Sequence, residues 1–155
     1  MSADSENRVQ APVPSEKLKA LEKLIGSWRI SGGADGTVTY HWMEGGFFLM
    51  QDVDLRQNGL HIIGIEIIGL LRPFGEPESD AIMSRFYDNQ GNTLDYEYEI
   101  FGDELTIWAG AKGSPAYFKG AFSPDGRVNH GSWVYPGGYG YESTMTRIDG
   151  PKERK

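Results

Sequence analysis

Residues 82–109, IMSRFYDNQGNTLDYEYEIFGDELTIWA, decide how the rest of the chain is read. Asp88-Asn89-Gln90-Gly91-Asn92 has the composition of a type I turn followed by a glycine bulge, so the flanking runs should fold back as a hairpin. That turn predicts Phe86 opposite Leu94, Ser84 opposite Tyr96 and Ile82 opposite Tyr98. On the other face Arg85 meets Asp95, an opposite-charge pair suited to solvent. A second hairpin, with Gly102-Asp103 at its tip, sets Ile100, Tyr98 and Tyr96 beside Leu105, Ile107 and Ala109, leaving Glu97 and Glu99 outside. The Asp95-Glu97-Glu99 stripe is then a solvated face. Both hairpins choose the same inner side.

The alternation continues in both directions. Ten strands are expected at roughly 27–33, 36–44, 47–56, 60–69, 80–88, 92–101, 104–111, 115–123, 127–135 and 139–148, with Gly- and Asn-containing turns between most of them. A count of 21 glycines and 12% aromatic residues suits many short strands joined by tight turns. The segment Leu70 to Ser79 (LLRPFGEPES) carries two prolines, cannot continue a ladder, and is left as a long connection that could gate the mouth of a barrel. The only helix expected is Ser15 to Ile25. Ser15 can cap it, Leu18, Leu21, Leu24 and Ile25 recur at helical spacing, and Gly26 stops it. So short a helix needs something to pack on, and its apolar stripe should plug one end of the strands.

These elements predict an all-β fold, an antiparallel up-and-down barrel of about ten strands closed by a short N-terminal helix. A chain of 155 residues suits one domain, placed at 15–148 between a disordered tail at 1–14 and a charged tail at 149–155. No internal repeat interrupts it.

Turn chemistry extends the inner face, because the turn sets the register and the register sets which side looks inward. With the same turn type, Arg56-Gln57-Asn58-Gly59-Leu60 pairs Leu55 with His61, Val53 with Ile63, Gln51 with Ile65 and Leu49 with Ile67, leaving Asp52 and Asp54 in solvent. Ser123-Pro124-Asp125-Gly126-Arg127 pairs Phe122 with Val128, Gly120 with His130 and Phe118 with Ser132. In the second strand Val38, Tyr40 and Trp42 face inward, while Trp108 and Trp133 fall on the outer face.

The resulting interior is apolar with a few polar tips. Tyr40, Trp42 and Gln51 come from the early strands, His61, Ser84, Tyr96 and Tyr98 from the middle ones, and His130 and Ser132 from a late one. A mostly apolar wall with a few placed hydrogen-bonding groups is the composition of a ligand cavity, and a barrel of ten strands is wide enough to keep one. These nine residues are the candidate ligand-binding set.

Composition excludes several other functions. A net charge of −7 argues against binding nucleic acid or an anionic membrane surface. No cysteine is present, so there is no disulfide, thiolate metal site or cysteine nucleophile. Met1 to Gln10 is polar without an apolar signal core, and no run is long enough to span a bilayer, so a cytoplasmic location is expected. There is no Gly-x-Ser-x-Gly elbow, and the registers place no carboxylate pair inside. Gly137-Gly138-Tyr139-Gly140 lies in a hairpin and precedes a strand, so it reads as a turn and not a phosphate loop. His41, His61 and His130 lie on separate strands without metal-ligand spacing, and neither a metal nor a cofactor is expected.

The segment Leu21 to Gly33 (LEKLIGSWRISGG), with Gly26-Ser27-Trp28 at its centre, resembles the opening of calycins, where a short helix closes the barrel and Gly-x-Trp begins the first strand. Arg147, in TMTRI, stands where lipocalins carry the Arg that covers this Trp, and a guanidinium does stack well on an indole. Gly45-Gly46-Phe47, Asp88-x-x-Gly91, Phe118-Lys119-Gly120, Asp125-Gly126 and Gly131-Ser132-Trp133 together resemble an uncharacterised bacterial family of lipocalin-like domains. The resemblance implies a barrel and a cavity, with Trp28 and Arg147 as the closing pair, and no established activity.

The expected function is therefore binding of a small, mostly hydrophobic ligand in the lumen, as carrier or sequestering protein. A cyclase- or isomerase-type enzyme working with His130 and the tyrosines is the alternative. Haem binding, with His130 as the axial ligand, and a structural homodimer joined through Trp108 and Trp133 stay open behind it.

Overall fold

The computed structural model describes residues 11–148. Of the two expected tails, residues 1–10 and 149–155 lie outside the described residues. A 3₁₀-helix, η1 (Glu16–Leu24), leads into ten strands: β1 (Gly26–Gly32), β2 (Asp35–Trp42), β3 (Phe48–Gln57), β4 (Leu60–Leu70), β5 (Ile82–Asp88), β6 (Thr93–Phe101), β7 (Glu104–Ala109), β8 (Tyr117–Phe122), β9 (Val128–Val134) and β10 (Tyr141–Arg147). Each strand pairs antiparallel with the next, and β10 pairs with β1, so the sheet closes into the ten-stranded up-and-down barrel expected from the turn spacing.

The helix is wound more tightly than an α-helix. Leu18, Leu21 and Leu24 are all buried. Residues three apart eclipse in a 3₁₀-helix, so this winding puts all three on one face. Ser15 caps it, its Oγ accepting from the Lys17 amide at 3.1 Å.

That leucine face seats on Trp28, which is fully buried and donates its indole N–H to the Leu24 carbonyl at 2.8 Å. Arg147 crosses from the last strand to lie 4.1 Å from the centre of the Trp28 ring. Its guanidinium donates to the carbonyls of Ile25 and of Lys23, the latter at 3.0 Å. Carbonyls at a helix C-terminus have no partner within the helix, and a cation there satisfies them and the helix dipole together. Gly26 has φ +117°, and a Cβ there would lie 2.7 Å from Arg147 Nη1. The glycine of Gly26-Ser27-Trp28 is thus the space through which Arg147 reaches the helix end.

The hairpins of residues 82–109 pair as expected: Ser84 with Tyr96, Phe86 with Leu94, Arg85 with Asp95, and Tyr98 with Ile107. Two other registers differ from expectation by one residue. Asn58 (φ 52°) and Gly59 (φ 80°) form a two-residue turn with both residues in the left-handed region, so Gln57 pairs with Leu60 and Gln51 with Glu66. Such a turn matches the twist of the strands, and the expected three-residue turn is displaced by it. One residue of slip exchanges the two faces of β4. His61, Ile63, Ile65 and Ile67 point outward, leaving Ile63 47% exposed, while Ile62, Glu66, Ile68 and Leu70 point inward.

At the turn from β8 to β9 the backbone bond from Ser123 N to Val128 O is 2.8 Å, and Ser123 Oγ accepts from the Val128 amide at 3.1 Å. Ser123, not Phe122, therefore stands opposite Val128, and Phe122 pairs with Asn129. Asn129 and Trp133 turn inward and His130 and Ser132 outward, the reverse of expectation.

The long connection after β4 runs along the plugged end, where Lys17 of η1 donates to the Asp80 carbonyl at 3.1 Å. It does not reach the mouth.

Candidate functional site

The interior divides along the barrel axis. At the helix end the core is solid, with Leu21, Leu24, Trp28, Leu49 and Ile68 all showing no exposure. Towards the other end the walls separate around a cavity of about 340 Å³, within the range of small-molecule sites. Its mouth is bordered by Gln57, Asp88, Leu94, Tyr135 and Tyr141. Trp133 stands on the wall below, 6.0 Å from the ring of Tyr96 and 5.5 Å from that of Phe118, with Tyr135 stacked on it at 5.9 Å and 9°.

On the β2–β6 side of the lumen lies a buried polar cluster. Glu66 is 5% exposed, and its Oε2 accepts two hydrogen bonds, from Ser84 Oγ at 2.5 Å and Tyr98 OH at 2.7 Å. Oε1 takes no bond from the described residues. Beside this group Gln51 Nε2 donates to Tyr40 OH at 2.9 Å. Burial pushes the Glu66 carboxyl above the usual carboxylate range, and the bonds from Ser84 and Tyr98 pull it part of the way back. Tyr98 and Tyr40 are driven upward in turn, by burial first and then by the neighbouring Glu66 charge. At the mouth, burial and the nearby Tyr141 leave Tyr135 pushed up to about 12.

On the β9 side Asn129 is 1% exposed and lines the same cavity. Neither its amide nitrogen nor its carbonyl oxygen has a hydrogen-bond partner among the described residues. An orphaned buried amide costs about 1–3 kcal/mol, so a fold keeps one where a further group completes it. Gly120 makes room for it, since a Cβ there would run into Asn129 Oδ1.

Of the residues chosen from sequence, Tyr40, Gln51, Tyr96 and Tyr98 line the cavity, and Ser84 is buried beside it on Glu66. Trp42 faces inward but packs in the core without lining the cavity. His61, His130 and Ser132 face outward. His61 Nε2 sits 2.7 Å from Asp54 Oδ1, and His130 Nδ1 lies 2.7 Å from Thr144 Oγ1. His41 is also outside, 3.7 Å from Asp52, so none of the three histidines reaches the lumen. Trp108 is outside as expected, with the Lys112 ammonium 5.6 Å from its ring centre, but Trp133 is not. Trp28 and Arg147 meet as the closing pair.

Sequence reasoning missed Glu66, Asn129 and Trp133, all on the two strands whose registers slipped. Asn58-Gly59 was the available signal, because that dipeptide is the strongest marker of a two-residue hairpin turn.

Among the described residues no group of three or more His, Cys, Asp or Glu could hold a metal, and no helix is long and apolar enough to cross a membrane. No model of a known protein family matches the chain, and no curated protein matches it either. A closed ten-stranded antiparallel barrel fits a calycin-like fold.

Proposed function

We propose that the barrel binds a small, mostly apolar molecule in its lumen and orients that molecule's polar end on the Glu66 cluster. One observation carries the reading. The cavity is walled by apolar and aromatic side chains, yet it holds a buried carboxyl with a free oxygen and an amide with no partner. A barrel interior that served only as core would be filled, and would leave out such groups. The Gly26-x-Trp28 motif covered by Arg147 supports placing the chain with the lipocalin-like proteins it resembles, where the lumen is the binding site.

A second reading has support in Glu66 itself. A buried carboxyl that holds its proton above the usual range, bonded to Tyr98 beside an enclosed cavity, is equipped to give or take a proton from a bound molecule. In a cyclase or isomerase of this kind Glu66 takes the role first assigned to His130, which lies outside.

Native mass spectrometry of the purified protein, before and after denaturation, tests the first reading. A discrete mass released on denaturation supports it. Titration with a fluorescent apolar probe is the complement. Quenching of Trp133 in the wild type that vanishes in Trp133→Phe, but not in Trp108→Phe, would put the probe in the lumen. Quenching that survives Trp133→Phe would put it elsewhere.

A further inference from the structure

The charge inventory of the lumen narrows the ligand further. Its lining carries two carboxyl groups, Glu66 in the interior and Asp88 at the mouth, and no Lys, Arg or His among the described residues. We infer that the lumen selects an organic amine on an apolar body, with its ammonium group on Glu66 Oε1, and rejects carboxylate amphiphiles such as fatty acids. This assignment rests on the lumen being a ligand site, and it adds the chemical class of the ligand.

A fatty-acid headgroup would bring a second negative charge beside Glu66 with no cation to meet either one. Like charges in a low-dielectric cavity disfavour each other, so one of the two must take up a proton. An ammonium group does the reverse. It supplies the opposite charge a buried carboxylate lacks, and donors for the oxygen that Ser84 and Tyr98 leave free. Those two hydroxyls already hold Oε2, so the carboxyl group is held in place before the ligand arrives.

Three other features act in the same direction. Trp133, Tyr96 and Phe118 form an aromatic group along the wall, and aromatic faces attract cations. Asn129, which lines the same cavity, keeps a side-chain carbonyl without a partner among the described residues. The net charge of −7 gives the whole molecule a field that draws cations and repels anions. The groups facing Glu66 are Ser84 on β5, Tyr98 and Tyr96 on β6, and Tyr40 on β2. Together with the Gln51 amide on β3, which pairs directly with Glu66, these are all neutral groups, so no basic side chain competes with the amine.

The test is a matched series of probes with one tail and three headgroups: octylamine, 1-octanol and octanoate. Each is titrated into the full chain by calorimetry, with Trp133 emission as a second readout. Octylamine should bind about ten- to a hundredfold tighter than 1-octanol, the range for a hydrogen bond to a charged group, and octanoate should bind weakest. In Glu66→Gln the amine advantage over the alcohol should fall to about threefold or less. Octanoate binding as well as octylamine in the wild type, or 1-octanol matching octylamine, overturns the amine assignment and leaves the lumen site standing. Failure of all three to bind overturns the lumen reading along with it. The wild-type ratios decide the matter even if Glu66→Gln fails to fold.

Discussion

Tyr98 on β6 donates its hydroxyl to Glu66 on β4 at 2.7 Å, and Ser84, on the strand between them, donates to the same oxygen. Three adjacent strands thus share one carboxylate oxygen inside a barrel whose lining is mostly apolar and aromatic. A buried carboxyl raises the free energy of its ionised form, and two hydroxyl donors recover only part of that cost.

Stability should therefore fall with rising pH through Glu66. Its folded-state value is raised, so the folded chain keeps the proton to a higher pH than the unfolded chain does. The contribution is complete below the usual value of 4.5 and is lost as pH rises through the folded value. Glu66→Gln does not titrate. The melting temperature of the variant relative to wild type should rise with pH from there and then level off. About 1 kcal/mol moves Tm by roughly 2–4 °C in a domain of this size. A difference that stays flat between pH 4 and pH 8 would show that Glu66 titrates normally.

Asn129 is expected to show a trade between stability and binding. Asn129→Leu replaces an unpartnered amide by an apolar group of similar size, which removes a cost of about 1–3 kcal/mol from the folded state. The variant should resist urea better than wild type and bind hydrogen-bonding ligands less tightly. Loss of stability in the variant would mean that the amide is satisfied in solution.

The outward histidines provide a control on the registers of β4 and β9. His61→Ala and His130→Ala should each change stability by no more than about 0.5 kcal/mol and leave probe affinity unchanged. A large loss of binding in either variant would restore the inward placement that the turns first suggested.

Arg147 stacks on Trp28 and satisfies two carbonyls at the end of η1, so Arg147→Ala should cost about 2–4 kcal/mol in denaturant unfolding. Arg147→Lys keeps the charge but loses the planar fork, and should recover less than half of that loss. Full recovery by lysine would assign the effect to charge alone.

The resemblance added the Trp28–Arg147 pair, while sequence by itself determined the strand count, the antiparallel order and the plug. Those features rest on signals within a few residues of each other: alternation along Tyr96-Glu97-Tyr98-Glu99, the glycine turn at Asp88 to Asn92, and Gly26-Ser27-Trp28. It also placed Tyr40, Gln51, Ser84, Tyr96 and Tyr98 on one face, because their own strands carry most of their charge on the opposite side. Tertiary structure alone decided the floor of the site. In LHIIGIEIIGL both faces are apolar enough to be buried, so alternation cannot say which one is inside, and the choice falls to the turn at Asn58-Gly59. One residue of slip there moves Glu66 from solvent to lumen. The slip at Ser123 does the same for Asn129 and Trp133. A strand repeats every two residues, so a local difference of one residue in a turn decides which chemistry the cavity holds.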